Sequence, residues 1–282
     1  MALLRTAVAF VLLSVAIVHA EEAPRKIVLV AGTTAKVDAM GHHDYLAGCE
    51  CLRVLLSKTP GVTTVRVNEG WPEDVSVFDG AASVVFYTDG GGKQAFLSSP
   101  ERTELVQQMV DRGVGIVMIH QAVDYPKEYA DQAKSWLGGI YLAGESGRGH
   151  WPSNHVDFPE HPVTRGVTPW TIKDGWLNGI QFVDDKQGIT PLVWSGKEYE
   201  ESKAGIDQHI VGWTYDRPNG GRSFNFTGLD AHSAWELPGM RQLVVNGVLW
   251  SAGVDIPEAG APSDISQDDL NAMLTPREPK KK

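Results

Sequence analysis

Apolar runs recur through the first 120 residues with helical stretches between them. Ile27–Val30 is a continuous apolar run ending in Ala31-Gly32, the pattern of a strand buried on both faces. Val62–Val67 alternates as a second strand, and Ala82–Tyr87 and Val114–Ile119 read as a third and fourth. Asp44–Leu56 carries apolar residues at helical spacing and stops near Pro60-Gly61. Pro100–Arg112 is amphipathic, with Glu101 and Glu104 in its first turn and Gly113 at its end. Strands and helices in alternation predict an α/β fold: a parallel sheet with right-handed crossovers and helices on both faces. Ligands of such sheets bind beyond the carboxyl ends of the strands, here Gly32, Asp89-Gly90 and His120.

The second half is less regular. Gly144–Pro169 reads as a long connection rich in Gly, His and Pro. Short strands are expected at Gln181–Val183, Pro191–Trp194, Ile210–Tyr215 and Arg222–Thr227. Pro238–Trp250 reads as a helix with Leu243, Val244, Gly247, Val248 and Trp250 as its buried stripe. With no repeat and no linker, residues 21–257 are expected to form one domain, followed by a polar tail, 258–282, with a short helix near Gln267–Leu274. At the other end, Arg5, the apolar run Ala7–Val18 and Val18-His19-Ala20 have the order of a secretory signal peptide, cleaved after Ala20. That run is shorter than the roughly 20 residues that span a bilayer. The expectation is a periplasmic or secreted protein with no stable membrane insertion after cleavage.

Composition narrows the chemistry. The chain carries a net charge of −10, and loss of Arg5 with the leader leaves −11. An acidic protein lacks the clustered Lys and Arg that nucleic acid requires. Cys49 and Cys51 fall on different faces of a helix, so they read as core residues rather than a disulfide. Neither a G-x-S-x-G nor a G-x-C-x-G nucleophile elbow is present, nor a phosphate-binding G-x-x-x-x-G-K-[ST], nor H-E-x-x-H. Histidines carry the remaining signal. His43, His120 and His232 fall in expected strand-end loops on one rim of the sheet, where converging imidazoles bind a metal or move protons. His150-Trp151 lies in the irregular stretch. Asp89 and Asp124 flank strand ends, and Asp174 sits beside Trp176.

The stretches AGTTAKVDAMGHHDYLAGCECL, NEGWP, YTDGGG, GVGIVMIHQAVDYP, WLGGIYLAGESGRGHW, HPVTRGV and FNFTGLDAHSAW, in that order, resemble the ThuA-like (trehalose-utilisation) family over about residues 26–257. The resemblance implies a class I glutamine-amidotransferase-like, flavodoxin-like fold without the glutaminase cysteine. It also implies use of trehalose and related disaccharides, alongside oxidation at the glucosyl 3-position. It carries pocket roles onto His43, His120, His150 and His232. Three departures stand out. The family's Asp-Glu-x-Tyr reads Asp174-Gly175-Trp176-Leu177 here, a His-x-Asn segment reads His43-Asp44-Tyr45, and Gly-Gly-His-x-His reads Gly228-Leu229-Asp230-Ala231-His232.

The leading expectation is a hydrolase or lyase acting on a (3-keto-)glycoside. His120 and His232 would be its general acid and base, with His43 or Asp230 orienting them or supporting a divalent metal. Asp89, Asp124, His150, Trp151, Asp174, Trp176 and Asp230 are its expected substrate-binding residues, and a small carbohydrate its ligand. Two other readings stay open: a sugar-binding module stacking on Trp151, Trp176 and Trp235, and a metal-dependent hydrolase of a non-sugar ester or amide. Nothing in the sequence sets the oligomeric state.

Overall fold

Five strands form the parallel body of the sheet: β1 (Arg25–Ala31), β2 (Val62–Val67), β3 (Ala81–Tyr87), β4 (Gly115–Ile119) and β12 (Arg222–Phe226). Two more, β11 (Ile210–Asp216) and β10 (Ile189–Trp194), extend it antiparallel beyond β12, in the order β10-β11-β12-β4-β3-β1-β2. The computed structural model describes residues 23–33, 37, 41–196 and 207–276. The expected signal peptide, residues 1–20, lies outside them.

Alternation along each strand sorts the core into two layers. Ile27, Leu29, Val85, Tyr87, Val117 and Ile119 face helices α1 (Tyr45–Leu56) and α4 (Pro238–Ser251). Val28, Val30, Val84, Phe86, Ile116 and Met118 face α2 (Pro100–Asp111) and α3 (Ala130–Leu137). A strand covered on both faces has no polar side to show, which is why these runs read as continuous apolar segments. Asp44 caps α1, its carboxylate accepting from the Ala47 amide at 3.2 Å. Cys49 and Cys51 are both reduced and buried in the α1 layer. Among the described residues no helix is long and apolar enough to cross a membrane.

Part of the stretch expected to be an irregular connection is a strand. Gly147–His155 (β7) pairs antiparallel along its whole length with Trp170–Asn178 (β8), which the hydrophobic pattern also missed. Two glycines, a proline and two histidines give β7 little strand propensity of its own, and nine paired residues override it. Between β4 and β7 lie β5 (Asp124–Tyr125) and β6 (Gly139–Leu142), and β9 (Gln181–Phe182) joins β6.

α4 is buried on nearly every side, so it has no solvent face. Its polar groups are satisfied by segments laid across it: Asn246 donates to the carbonyls of Val163 and Arg165, and Gln242 to that of Ala261. The stretch expected as a polar tail therefore continues the body as far as it is described. Helix α5 (Gln267–Met273) buries Leu270, and Thr275 donates its amide to Asp44 at 3.0 Å.

His155, at the end of β7, is 4% exposed. Its ring packs against those of Trp170 and Trp176, and its Nε2 has no hydrogen-bond partner. Burial pushes its pKa down from 6.5 to about 3, so the ring is neutral in the fold. The unfolded chain takes up a proton below about pH 6.5 that the folded one refuses. Stability therefore falls by about 1.4 kcal/mol for each pH unit from 6.5 towards 3, and does not change on this account above 6.5. Urea unfolding of wild type and His155→Phe between pH 7 and 5 checks this: the wild type should lose about 2 kcal/mol more than the variant. Parallel profiles would rule the imidazole out as the cause.

Candidate functional site

The carboxyl ends of β1, β3, β4 and β12 open on one side of the sheet, and the β7–β8 arm folds over them. Between arm and sheet lies a cavity of about 250 Å³ lined by His43, His120, Gln121, Arg148, Gly149, His150, Gly175, Trp176, Leu177 and Asp230. That is slightly below the roughly 300–1,000 Å³ of pockets for drug-sized ligands, a size for a small ligand.

Asp230, in the loop after β12, is the hub. Its side chain is 3% exposed; Oδ1 lies 3.1 Å from Nε2 of both His43 and His120, and Oδ2 lies 2.7 Å from Nε2 of His150. Burial by itself would raise the pKa of this carboxyl. The close approach and charge of the three imidazoles outweigh it and hold Asp230 ionised, far below the usual carboxylate range. His43 responds in the opposite sense. Its bonds to Asp230 and then to Asp89 raise its pKa to about 9, against the opposing effect of burial.

Local backbone geometry brings these groups together. His43, His120 and Leu229 all have left-handed backbones, with φ of 59°, 56° and 69°. Such a conformation costs a non-glycine residue about 1–3 kcal/mol and persists only where surrounding contacts hold it. The contacts are visible here. The His43 amide donates to the Asp230 carbonyl at 2.9 Å, and His120 Nδ1 donates to the Thr227 carbonyl at 2.9 Å. The Tyr87 hydroxyl donates to the Leu229 carbonyl. Asp174 takes the remaining amides: its carboxylate accepts from Leu229 at 2.7 Å, Gly175 at 2.9 Å and Asp230 at 3.2 Å. The register of the arm sets His150 opposite Gly175. A Cβ at 175 would come within 2.8 Å of Asp230 Cγ and closer still to Oδ2, so only glycine leaves room for the carboxylate.

Of the residues singled out in the sequence, His43, His120, His150, Trp176 and Asp230 line the cavity. Asp89 stands behind His43, 3.7 Å from its Nδ1, and accepts from Tyr45 Oη at 3.2 Å. Asp174 acts on the loop rather than on the cavity. Asp124 is buried and holds Arg148 at the rim, with Nη1 3.3 Å from Oδ2; burial raises its pKa and Arg148 opposes the rise. Two expectations need correction. His232 turns away, its Nε2 3.1 Å from the Leu270 carbonyl of α5, because that helix covers it. Trp151 lies outside the cavity and donates from Nε1 to Ser195 Oγ at 2.9 Å.

Arg148, Gln121 and Tyr45 were not singled out. Arg148 had a signal, since it stands two residues before His150 and so shares its strand face. Tyr45 and Gln121 each adjoin an imidazole residue's segment but carry no pattern of their own.

Among the described residues two groups of donors could hold a metal ion, and both include Asp230: His43 with His120, and His42 with His150. In each, the ligand atoms lie within 4.8 Å of one another.

A model of the ThuA family, described as trehalose utilisation, matches residues 27–251. No curated protein matches the chain. Among solved structures, a ThuA-like protein from Parabacteroides merdae aligns with a TM-score of 0.54 at 18% identity, covering 88% of this chain and 99% of that one. A ThuA-like protein from Bacteroides uniformis aligns with a TM-score of 0.56 at 15% identity, again over 88% and 99%. At these identities the likeness is one of fold.

Proposed function

The chain belongs to the ThuA, or trehalose-utilisation, family, and on that premise we propose that it is an exported enzyme that cleaves or isomerises an oxidised, 3-keto glycoside. The observation that carries the reading is the convergence of three imidazoles on one buried carboxylate, at the floor of a cavity that fits one sugar unit.

A ketone acidifies the C–H bonds beside it. A base that takes such a proton leaves an enolate, which either expels the glycosidic oxygen β to the carbonyl or is reprotonated in an isomerised product. His150 suits the role of base. Asp230 Oδ2 orients its ring through Nε2 at 2.7 Å, and its side chain is 57% exposed, open to both cavity and solvent. His43 and His120 share the other oxygen of that carboxylate and mark where charge on the enolate oxygen would be stabilised. Gln121 and Arg148 on the lining supply donors for sugar hydroxyls.

The sugar-binding module is the weaker reading because only one of its three stacking rings, Trp176, lines the cavity, and that ring is almost fully buried. Trp151 lies outside it, Trp235 is fully buried, and Trp176 is held against His155 and Phe226.

A panel of native and 3-keto disaccharides, with products separated by chromatography, tests the proposal. Wild-type protein should release product from a 3-keto substrate, and His150→Ala should slow release by about 10²–10³-fold with its fold retained. Saturable binding without product would favour the module instead. Export is tested by the amino terminus of the mature protein, expected at Glu21.

A further inference from the structure

The Thr227 carbonyl accepts from His120 Nδ1 at 2.9 Å. A carbonyl only accepts, so Nδ1 carries the hydrogen and Nε2 of the neutral ring presents a lone pair. That lone pair faces Asp230 Oδ1 at 3.1 Å, and both atoms are shut off from water without a hydrogen-bond partner. His43 brings Nε2 to the same oxygen, also at 3.1 Å. Lone pairs converging on a carboxylate oxygen repel one another unless positive charge lies among them. A proton relieves one contact, whereas a cation relieves all of them.

We propose that His43 Nε2, His120 Nε2 and Asp230 Oδ1 bind one divalent transition-metal ion of the zinc, manganese or iron kind. Donors about 2.1 Å from a shared ion, at octahedral to tetrahedral angles, lie about 3.0–3.4 Å from each other, and both imidazole–carboxylate spacings fall in that range. Two imidazoles with one carboxylate favour these metals over calcium and magnesium, which prefer all-oxygen shells. The outer contacts agree. Ligating imidazoles usually anchor their second nitrogen on a carbonyl or carboxylate. Here His120 Nδ1 has the Thr227 carbonyl, and His43 Nδ1 has Tyr45 Oη at 3.0 Å with Asp89 behind it. Among the described residues three protein donors converge, which leaves coordination positions for the ligand, the arrangement of a catalytic rather than a structural site. The ketone and neighbouring hydroxyl of a 3-keto sugar are a chelating pair suited to them. Asp230 Oδ2 stays with His150. The inference rests on the reading of this cavity as the reacting site.

Chelator-stripped protein titrated with Zn²⁺ or Mn²⁺ in a calorimeter should take up one ion per chain. Asp230→Asn and His120→Asn should each weaken uptake by roughly 100-fold or more; asparagine also tolerates the left-handed backbone at 120. Circular dichroism matching the wild type separates loss of a ligand from loss of fold. The wild-type protein loaded with Co²⁺ tests the ligand set without substitution, through imidazole-nitrogen couplings in its electron-spin-echo spectrum. Two ions per chain, one of them lost in His120→Asn, would also support the site and assign the other to His42 and His150. No uptake by the wild type, or uptake unchanged in both folded variants, overturns the proposal. Uptake without turnover of any 3-keto disaccharide would leave the metal site standing and remove the proposed substrate.

Discussion

Asp230→Asn is expected to lower turnover of a 3-keto disaccharide by about a thousandfold while the chain still folds. The magnitude follows from one carboxylate serving three imidazoles, at 3.1, 3.1 and 2.7 Å. General acid–base groups contribute about 10²–10⁴-fold each, and here the orientation of His150 and the charge balance of His43 and His120 would be lost together. An amide keeps the shape of the side chain but replaces one acceptor oxygen with a donor. Its backbone anchors, the Asp174 carboxylate and the His43 amide, do not depend on the side chain and should hold the loop in position. Initial rates of product release, read beside a thermal melt, check both halves of the prediction. A folded variant with wild-type turnover would remove Asp230 from the reaction.

The second large effect concerns the only lining residue that must lack a side chain for the carboxylate to fit. Gly175→Glu alone is expected to reduce turnover by about a hundredfold or more, because even a Cβ there displaces Asp230, and a shift of about 1 Å in a catalytic group costs that much. Two of the positions where the sequence resemblance implies another residue, glycine at 175 and aspartate at 230, are in contact across the cavity. In effect the carboxylate stands on the loop after β12 instead of on β8, with an imidazole given up in exchange. Combining Gly175→Glu with Asp230→His returns the carboxylate to β8 and the imidazole to the loop, as the resemblance implies, and should turn over about tenfold faster than either single variant. A double-mutant cycle of kcat/KM measures this coupling. A double variant no better than the product of the two singles would mean that the positions do not share one carboxylate.

Much of the fold was legible because burial is written locally. A strand between two helical layers must be apolar at successive positions, so Ile27–Val30 and Val114–Ile119 announced themselves, and with them the sheet edge where His120 emerges. β7 stayed hidden for the complementary reason. Its strand character comes from pairing with Trp170–Asn178, and Gly147–His155 contains nothing that requires it in isolation. The tail hides its packing likewise: backbone groups of Ala261 and Ser263 satisfy polar side chains of α4, a relation that composition does not record.

For the site, residue types and their strand-end positions were readable, and roles were not. The sequence offers His43, His120 and His150 as pocket residues, and Asp230 as a substrate-binding residue or, in place of His43, as a group to orient or support a metal. His232, two residues further on, was given the proton-transfer role that its position denies it. Asp230 and His232 share a short loop, and no periodicity distinguishes them. What separates them is long-range: Asp174 and Gly175 turn Asp230 into the cavity, while the Leu270 carbonyl holds His232 away from it, beneath α5. The sequence by itself thus determined the sheet, its buried faces and the rim from which the imidazoles come, because apolar periodicity acts over a few residues. Only the tertiary structure decided that two of those imidazoles, His43 and His120, meet His150 of β7 on one carboxylate. That convergence depends on left-handed loop residues held by contacts from distant segments, and such contacts leave no local pattern to read.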